Sequence, residues 1–324
     1  MSAFNLSALS AYINQESNVR EIYRRAMYGN DTAPFITQID GVKKTNALPS
    51  IDHSRNALIN AENQLTLSDA KGEIEVKQVN LLTTKLAYLR DFRLDDLEGF
   101  FAQQYLPRGA EYGLGDLETV LAVMLGSAEQ FGIPAVINRQ VEGLTWQGDT
   151  DLDASTGLNL VDGFMKLLAE VDATSIGALT VENTLGFVDG LINAAMEDAD
   201  WKAAIMQRNQ AYLYMGGDTW RKYELGYRKE HGSLNYNNEF RKAMPDGTEV
   251  MMIPCSGLTG TDHMYLARPE AMVQGADLSG DKDQIGMGFT EIHESIWVKT
   301  KFRFGLQCRD KSDKSVLIHR PTIS

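Results

Sequence analysis

Apolar residues fall at helical spacing from Leu114 to Phe131, where Leu117, Val120, Leu121, Met124, Leu125 and Ala128 form one broad stripe. The pattern predicts a long helix laid against a core. Asp116 is its N-cap, Glu118 sits in its first turn, and Gly132 and Pro134 close or kink its end. A second helical run, Ala135 to Leu144, leads through Trp146-Gln147-Gly148-Asp149 into an acidic loop holding Asp149, Asp151 and Asp153. Asn159 to Phe164 then opens another helix that runs to Val171. Near the start, Asn5 to Met27 reads as a helix with Ser7 or Ser10 as cap and Gly29 as terminator.

Between Asn30 and Asn63 neither the helical nor the strand period holds for long. Some thirty residues of that kind are unusual inside a compact domain, so the stretch is expected to be disordered or to lie across another body. Leu65 to Leu67 and Glu73 to Val79, flanking the polar Ser68 to Gly72, predict a β-hairpin. Its apolar face is thin, and a lone two-stranded ribbon is marginal in water, so this one needs a surface to rest on. Strand character continues through Leu81 to Leu89, and Leu94 to Tyr105 returns to helix.

Farther on, Thr180 caps a helix marked by Leu185, Val188, Leu191, Ile192, Ala195 and Met196. Ala211 to Met215 is a short buried strand, and Gly216-Gly217-Asp218 turns it into a helix whose core stripe is Trp220, Tyr223 and Tyr227. Glu249 to Ile253, Met264 to Ala267, Ile296 to Gln307 and Ser315 to His319 read as strands. With no repeat and no βαβ rhythm, the order predicts an α+β chain in two interleaved regions.

Composition narrows the function. An apolar content of 43% over 324 residues is that of a globular protein. No apolar run approaches the ~20 residues of a membrane span, and Met1 to Asn5 lacks the basic flank of a signal peptide. Two cysteines, Cys255 and Cys308, make neither a disulfide framework nor a zinc site. A net charge of -13 argues against wrapping nucleic acid. The charge is uneven: residues 149–200 hold eleven acids against Lys166 alone, whereas 295–324 hold seven bases against Asp310 and Asp313. Such blocks either meet, within a chain or between copies, or stand as separate solvated faces.

Catalytic patterns fail on inspection. His293-Glu294 begins like a zinc-protease helix, but Trp297 stands where the second histidine belongs. The histidines at 53, 231, 263, 293 and 319 have no ligand spacing. Asp281 to Gly286 imitates a calcium loop until Ile285 and Ile292 replace oxygen ligands, and the Asp149 loop has Ala154 and Leu160 at the glycine and glutamate positions. Cys255-Ser256-Gly257 is no nucleophile elbow, and no glycine loop cradles phosphate. No enzyme, cofactor or metal is therefore expected. The rival reading that survives is an unfamiliar soluble enzyme using Asp149 and Asp151 with a divalent cation.

The order of the pieces is more informative than any one of them. It runs from Leu6-Ser7-Ala8-Leu9-Ser10-Ala11-Tyr12 through Met27-Tyr28-Gly29-Asn30-Asp31-Thr32-Ala33 and Asp40-Gly41-Val42-Lys43. It continues in Trp146-Gln147-Gly148-Asp149, Val161-Asp162-Gly163-Phe164 and Tyr214-Met215-Gly216-Gly217-Asp218, with Arg221, Tyr223 and Tyr227-Arg228. It closes with Gly275-Ala276-Asp277-Leu278 and Phe302-Arg303-Phe304-Gly305-Leu306-Gln307. In this order the chain resembles the major capsid proteins of tailed bacteriophages with the Hong Kong phage type of shell fold, most closely those of the crAss-like group.

The resemblance implies an N-terminal arm (1–45), an extended hairpin loop (46–80) and a peripheral domain with the spine helix (81–175). An axial domain (176–290) and C-terminal strands returning to the peripheral domain (291–324) would follow. It implies a self-assembling head shell enclosing DNA without sequence-specific binding, located in the virion and assembled in the bacterial host cytoplasm. The implied partners are further copies in hexamers and pentamers, with scaffolding, portal and head-decoration proteins. The hairpin residues Asp69, Lys71, Gly72, Glu73, Glu75 and Lys77 are the expected interface. Some members crosslink through a hairpin lysine, but no matching glutamate and asparagine can be placed here, so the resemblance does not extend to that chemistry. A nanocompartment shell of the same fold, enclosing cargo enzymes, is the nearer alternative.

Overall fold

The computed structural model describes residues 29–53, 74–93, 133–143, 157–231, 245, 247–277, 285–290 and 295–321. The expected helices at 5–27, 94–105 and 114–131, the Leu65–Leu67 strand, the acidic loop 149–153 and most of the 281–286 segment lie outside the described residues.

Of the stretch 30–63, expected to be disordered or draped over another body, residues 30–53 form a 3-10 turn and two strands, and 54–63 lie outside the described residues. A 3-10 turn at Ala33–Phe35 leads to β1 (Thr37–Asp40) and β2 (Thr45–His53). β3 (Ile74–Leu82) and β4 (Thr84–Arg93) follow, then helices α1 (Ile133–Glu142) and α2 (Phe164–Leu167). The expected helix from 159 to Val171 is thus a single turn followed by tight turns. Next come β5 (Ala173–Ile176), α3 (Thr184–Glu197), α4 (Ala199–Ile205), β6 (Tyr212–Gly216), α5 (Gly217–His231) and β7 (Met251–Cys255). A second 3-10 turn (Ser256–Leu258) precedes β8 (Met264–Ala267), β9 (Met272–Asp277), β10 (Ile285–Thr290), β11 (Ser295–Cys308) and β12 (Val316–Pro321).

Two five-stranded sheets result. The first is ordered β1-β9-β11-β10, with β4 also on β11, and the second β5-β12-β8-β6-β7. β11 is the long member: its first half pairs with β10, Ser295 to Phe304 pair with β4, and Arg303 to Cys308 pair with β9. β6 and β7 are parallel and joined through α5, a crossover unit the sequence reading did not foresee. Its paired residues stand 39 positions apart, as Tyr212 and Met251 do, too far for local periodicity to link them.

The strand period of two explains why β6 and β8 are apolar at every position. Tyr212, Tyr214, Ile253, Cys255, Tyr265 and Ala267 face one core, with Phe302, Phe304 and Leu306 of β11 and Ile137, Val141, Phe164 and Leu168 of α1 and α2. Leu213, Met215, Met252, Met264 and Leu266 face the other, against Val188, Leu191, Trp201 and Tyr223 of α3 to α5. A sheet covered on both faces has no polar side to present, so its strands read as continuous apolar runs. Each fully buried Leu, Ile or Phe in these cores contributes roughly 1.5–3 kcal/mol.

Local signals hold where they were strong. Thr180 sits one turn ahead of α3; its carbonyl accepts the Thr184 N–H, and its hydroxyl and the Asn183 amide exchange bonds with each other's backbone N–H. Asp198 caps α4 by accepting the N–H groups of Asp200 and Trp201 at 2.6 and 3.2 Å. The opposed charge blocks meet inside the chain. β12 runs parallel to β5, Lys311 pairs with Glu170 at 3.4 Å, and Arg320 donates to the carbonyls of Leu168 and Ala169. Exposed pairs of this kind contribute at most about 1 kcal/mol each.

Candidate assembly surface

β2 and β3 form a separate two-stranded ribbon, in register from Thr45 opposite Leu82 to His53 opposite Ile74. Nine residues per strand reach roughly 30 Å at 3.4 Å per residue. Of the ribbon expected from sequence, the second strand is present, and it pairs with a strand the sequence did not announce. Ile74–Val79 pairs with residues 48–53 of β2, while the expected Leu65–Leu67 strand lies outside the described residues. A strand carrying Asn46, Pro49, Ser50 and Asp52 has no apolar period to announce it.

The root of the ribbon is docked on the first sheet. Leu48 and Leu81, 4% and 0% exposed, pack with Val42 and Val273. Leu81 lies over Gly275, where an added Cβ would come within 2.5 Å of its side chain, and Gly305 abuts the Leu82 carbonyl with no room for a Cβ at all. Both glycines stand inside strands because another backbone or side chain comes too close for anything larger. Thr83 pins the exit: its N–H donates to the Lys44 carbonyl and its hydroxyl to the Val42 carbonyl, each at 3.0 Å. Asp40 to Asn46 line an open polar cavity of about 530 Å³ beside this root.

Apolar side chains are also exposed on the ribbon, one midway along β3 and one at its root. Val76 is 65% exposed and Leu82 64%, and Leu89 on β4 is 62% exposed. Of the expected interface residues, Asp69, Lys71, Gly72 and Glu73 lie outside the described residues. Glu75 stands opposite Asp52 and Lys77 opposite Ser50 in the ribbon's register, and Lys77 is exposed. Sequence reasoning missed Leu81, Thr83, Gly275 and Gly305, although the two glycines interrupting apolar strands were a readable sign of close approach.

A second cluster has the electrostatics of an active site without the access. Glu142, at the end of α1, is fully buried and accepts the Gly257 N–H at 2.8 Å, while its Oε1 has no partner. Burial pushes its pKa up to about 8, the Gly257 bond opposing and the Asp31 charge reinforcing the rise. Asp31 accepts the Ser256 N–H and hydroxyl, and its own N–H donates to Asn138. Cys255, Tyr214 and Tyr265 stand nearby, all raised by burial and all without exposure. A perturbed carboxylate is a site candidate only where substrate can reach it. This one joins the 3-10 turn to α1.

His263 and His319 are buried in and beside the second sheet, and both cysteines are free and buried. Among the described residues no three His, Cys, Asp or Glu side chains are grouped to hold a metal, and no helix is long and apolar enough to cross a membrane.

No family model matches the chain, and no curated protein matches it in sequence. Solved structures do. The capsid of an empty GTA particle is similar at TM-score 0.52 and 12% identity, over 90% of each chain. A structure from Gordonia phage Cozz is similar at 0.53 and 14%, over 91% of this chain and 87% of that one. A satellite phage P4 procapsid that includes size determination (Sid) protein is similar at 0.54 and 8%, over 100% and 99%. Likeness at such low identity is a likeness of fold, and it runs from one end of the chain to the other: this α+β polypeptide has the fold of phage capsid shells.

Proposed function

We propose that this chain is the repeating structural subunit of an icosahedral tailed-phage head, associating with copies of itself in hexamers and pentamers to enclose DNA. The observation that carries the reading is the end-to-end likeness to particle shells, over about nine-tenths or more of each chain. The ribbon supports it. Val76 and Leu82 are large apolar side chains left in water, and burying each against a neighbour contributes on the order of 1–2 kcal/mol. Repeated over a closed lattice, contacts of that size sum, and each interface is expected to exceed the roughly 1,000 Å² of a biological contact.

In this reading residues 1–45 are the arm, 46–80 the extended loop, 81–175 and 291–324 the peripheral domain, and 176–290 the axial domain. The loop contacts a neighbour through its tip, Asp69, Lys71, Gly72 and Glu73, and along β3 through Glu75 and Lys77. A separate scaffolding protein or the portal starts assembly, decoration proteins add to the finished head, and the virion assembled in the host cytoplasm is the protein's location. The acidity of the chain suits an inner wall along which DNA slides; a basic inner surface in a resolved particle would remove that point.

Sedimentation and negative-stain microscopy of the purified chain, alone and co-expressed with its neighbouring head genes, test the proposal. Closed shells are expected, and Val76→Asp with Leu82→Asp should leave a folded subunit that no longer assembles. A protein that stays a single copy at high concentration with those partners present would overturn it.

A further inference from the structure

We infer that the corner where β11 ends, at Gln307, Arg309 and Asp310, sets the direction of the ribbon in the free subunit, before any neighbour touches it. The inference rests on the shell reading for its purpose but not for its geometry. Gln307 donates from Nε2 to the Asn80 carbonyl of β3 at 3.0 Å. Arg309 donates from Nε to the Pro49 carbonyl of β2 at 2.6 Å. One contact is made to each strand, and both are made to backbone, so they sense the ribbon's position whatever its side chains are. Pro49 has no N–H to offer at that point, so the Arg309 bond also occupies the hydrogen-bonding group that β2 presents there and blunts it against strand addition.

The corner is a fixed platform. The Arg309 N–H donates to the Ala271 carbonyl at 2.7 Å, and Cys308 is buried and paired with Met272 of β9. The Gln307 amide is itself aimed, because its oxygen accepts the Cys308 N–H at 3.0 Å. The Asp310 carboxylate accepts the Ser312 N–H and hydroxyl and the Ser315 hydroxyl. Burial acts to raise its pKa, but these bonds and the charge of Lys77 hold it below the ordinary range.

A lever explains why these contacts matter. The apolar patch of Leu48 and Leu81 fixes where the ribbon leaves the sheet, but a single patch is a pivot. Anchors at Thr83, Asn80 and Pro49, the last opposite Gln78, are spread along the ribbon from position 78 to 83, roughly 17 Å, and that spacing determines an angle. A ribbon already aimed loses less conformational freedom on association than one that samples many directions.

The free, full-length subunit tests this. Spin labels at Val76→Cys and Asn193→Cys, both exposed positions, report the ribbon-to-body distance, while native Cys255 and Cys308 are buried. Adding Gln307→Ala with Arg309→Ala should at least double the width of the distance distribution without changing the circular dichroism. Restoring a donor with Arg309→Lys should narrow it again. An unchanged width in the double variant, or a broad one that lysine fails to narrow, overturns the inference. Because no assembly is involved, shells that never form would refute the proposed function and leave this result standing.

Discussion

Glu142 gives the sharpest quantitative test of the fold. Replacing it with glutamine keeps an acceptor for the Gly257 N–H and removes the titration. A carboxyl whose pKa rises from 4.5 to about 8 on folding shifts by about 3.5 units, which at 1.36 kcal/mol per unit is about 5 kcal/mol. The sign follows from proton counting. The folded protein holds a proton that the unfolded chain releases, so the contribution is fully present below pH 4.5 and is lost as pH rises toward 8.

Urea unfolding of wild type and Glu142→Gln at a series of pH values from 4.5 to 9 isolates the effect, because the titrations of groups remote from Glu142 cancel in the difference. The variant should gain on wild type by about 1.4 kcal/mol per pH unit across that window and then run parallel to it above pH 8. That is a large part of the ~5–15 kcal/mol that holds a typical domain. A difference that stays flat to within about 1 kcal/mol would mean that water reaches the carboxylate, and the account of a dry junction between α1 and the 256–258 turn would be wrong.

Leu81→Ala should cost about 2–4 kcal/mol in urea unfolding, and hydrogen exchange of the β3 amides should accelerate before that of β11. Gly305→Ala forces a methyl against the Leu82 carbonyl, and overpacking of backbone on backbone should cost about 1–3 kcal/mol, read as a lowered melting temperature. Burial lowers the pKa of both His319 and His263. Their contribution is therefore complete above pH ~6.5 and lost as pH falls through the folded-state values. His319→Phe, set against Phe187 as the native ring is, should shrink the loss of urea midpoint between pH 7 and pH 5; an undiminished loss would clear His319 of the acid sensitivity.

Which parts were legible follows from the range of the interaction that decides each. The strands at 212–216 and 264–267, the helix at 184–197 with Thr180 ahead of it, and the long alternation of β11 all declare themselves within ten residues. The partner of β3 does not. A polar, apolar-poor strand from Thr45 to His53 is chosen by Leu48 packing with Val273 of the sheet and by Thr83 returning to Val42 and Lys44, contacts some forty positions apart. Glu142 likewise reads as the polar end of an ordinary helix, because its burial is imposed by Gly257, 115 positions away. The charge blocks were visible, but only the β5–β12 pairing shows that they meet within one copy.

The exposed apolar residues of β3 and β4 carry the same lesson in reverse. Val76, Leu82 and Leu89 were placed in strands from their pattern, and strands is where they are. A local pattern registers that a residue is apolar, not what it will touch. Leu48 and Leu81 take up the patch at Val42 and Val273, and among the described residues Val76 and Leu82 of the same ribbon stay exposed. The physical reason to look for a second copy is therefore the contrast along one strand: Leu81 fully buried, and Leu82, its immediate neighbour, almost two-thirds in water.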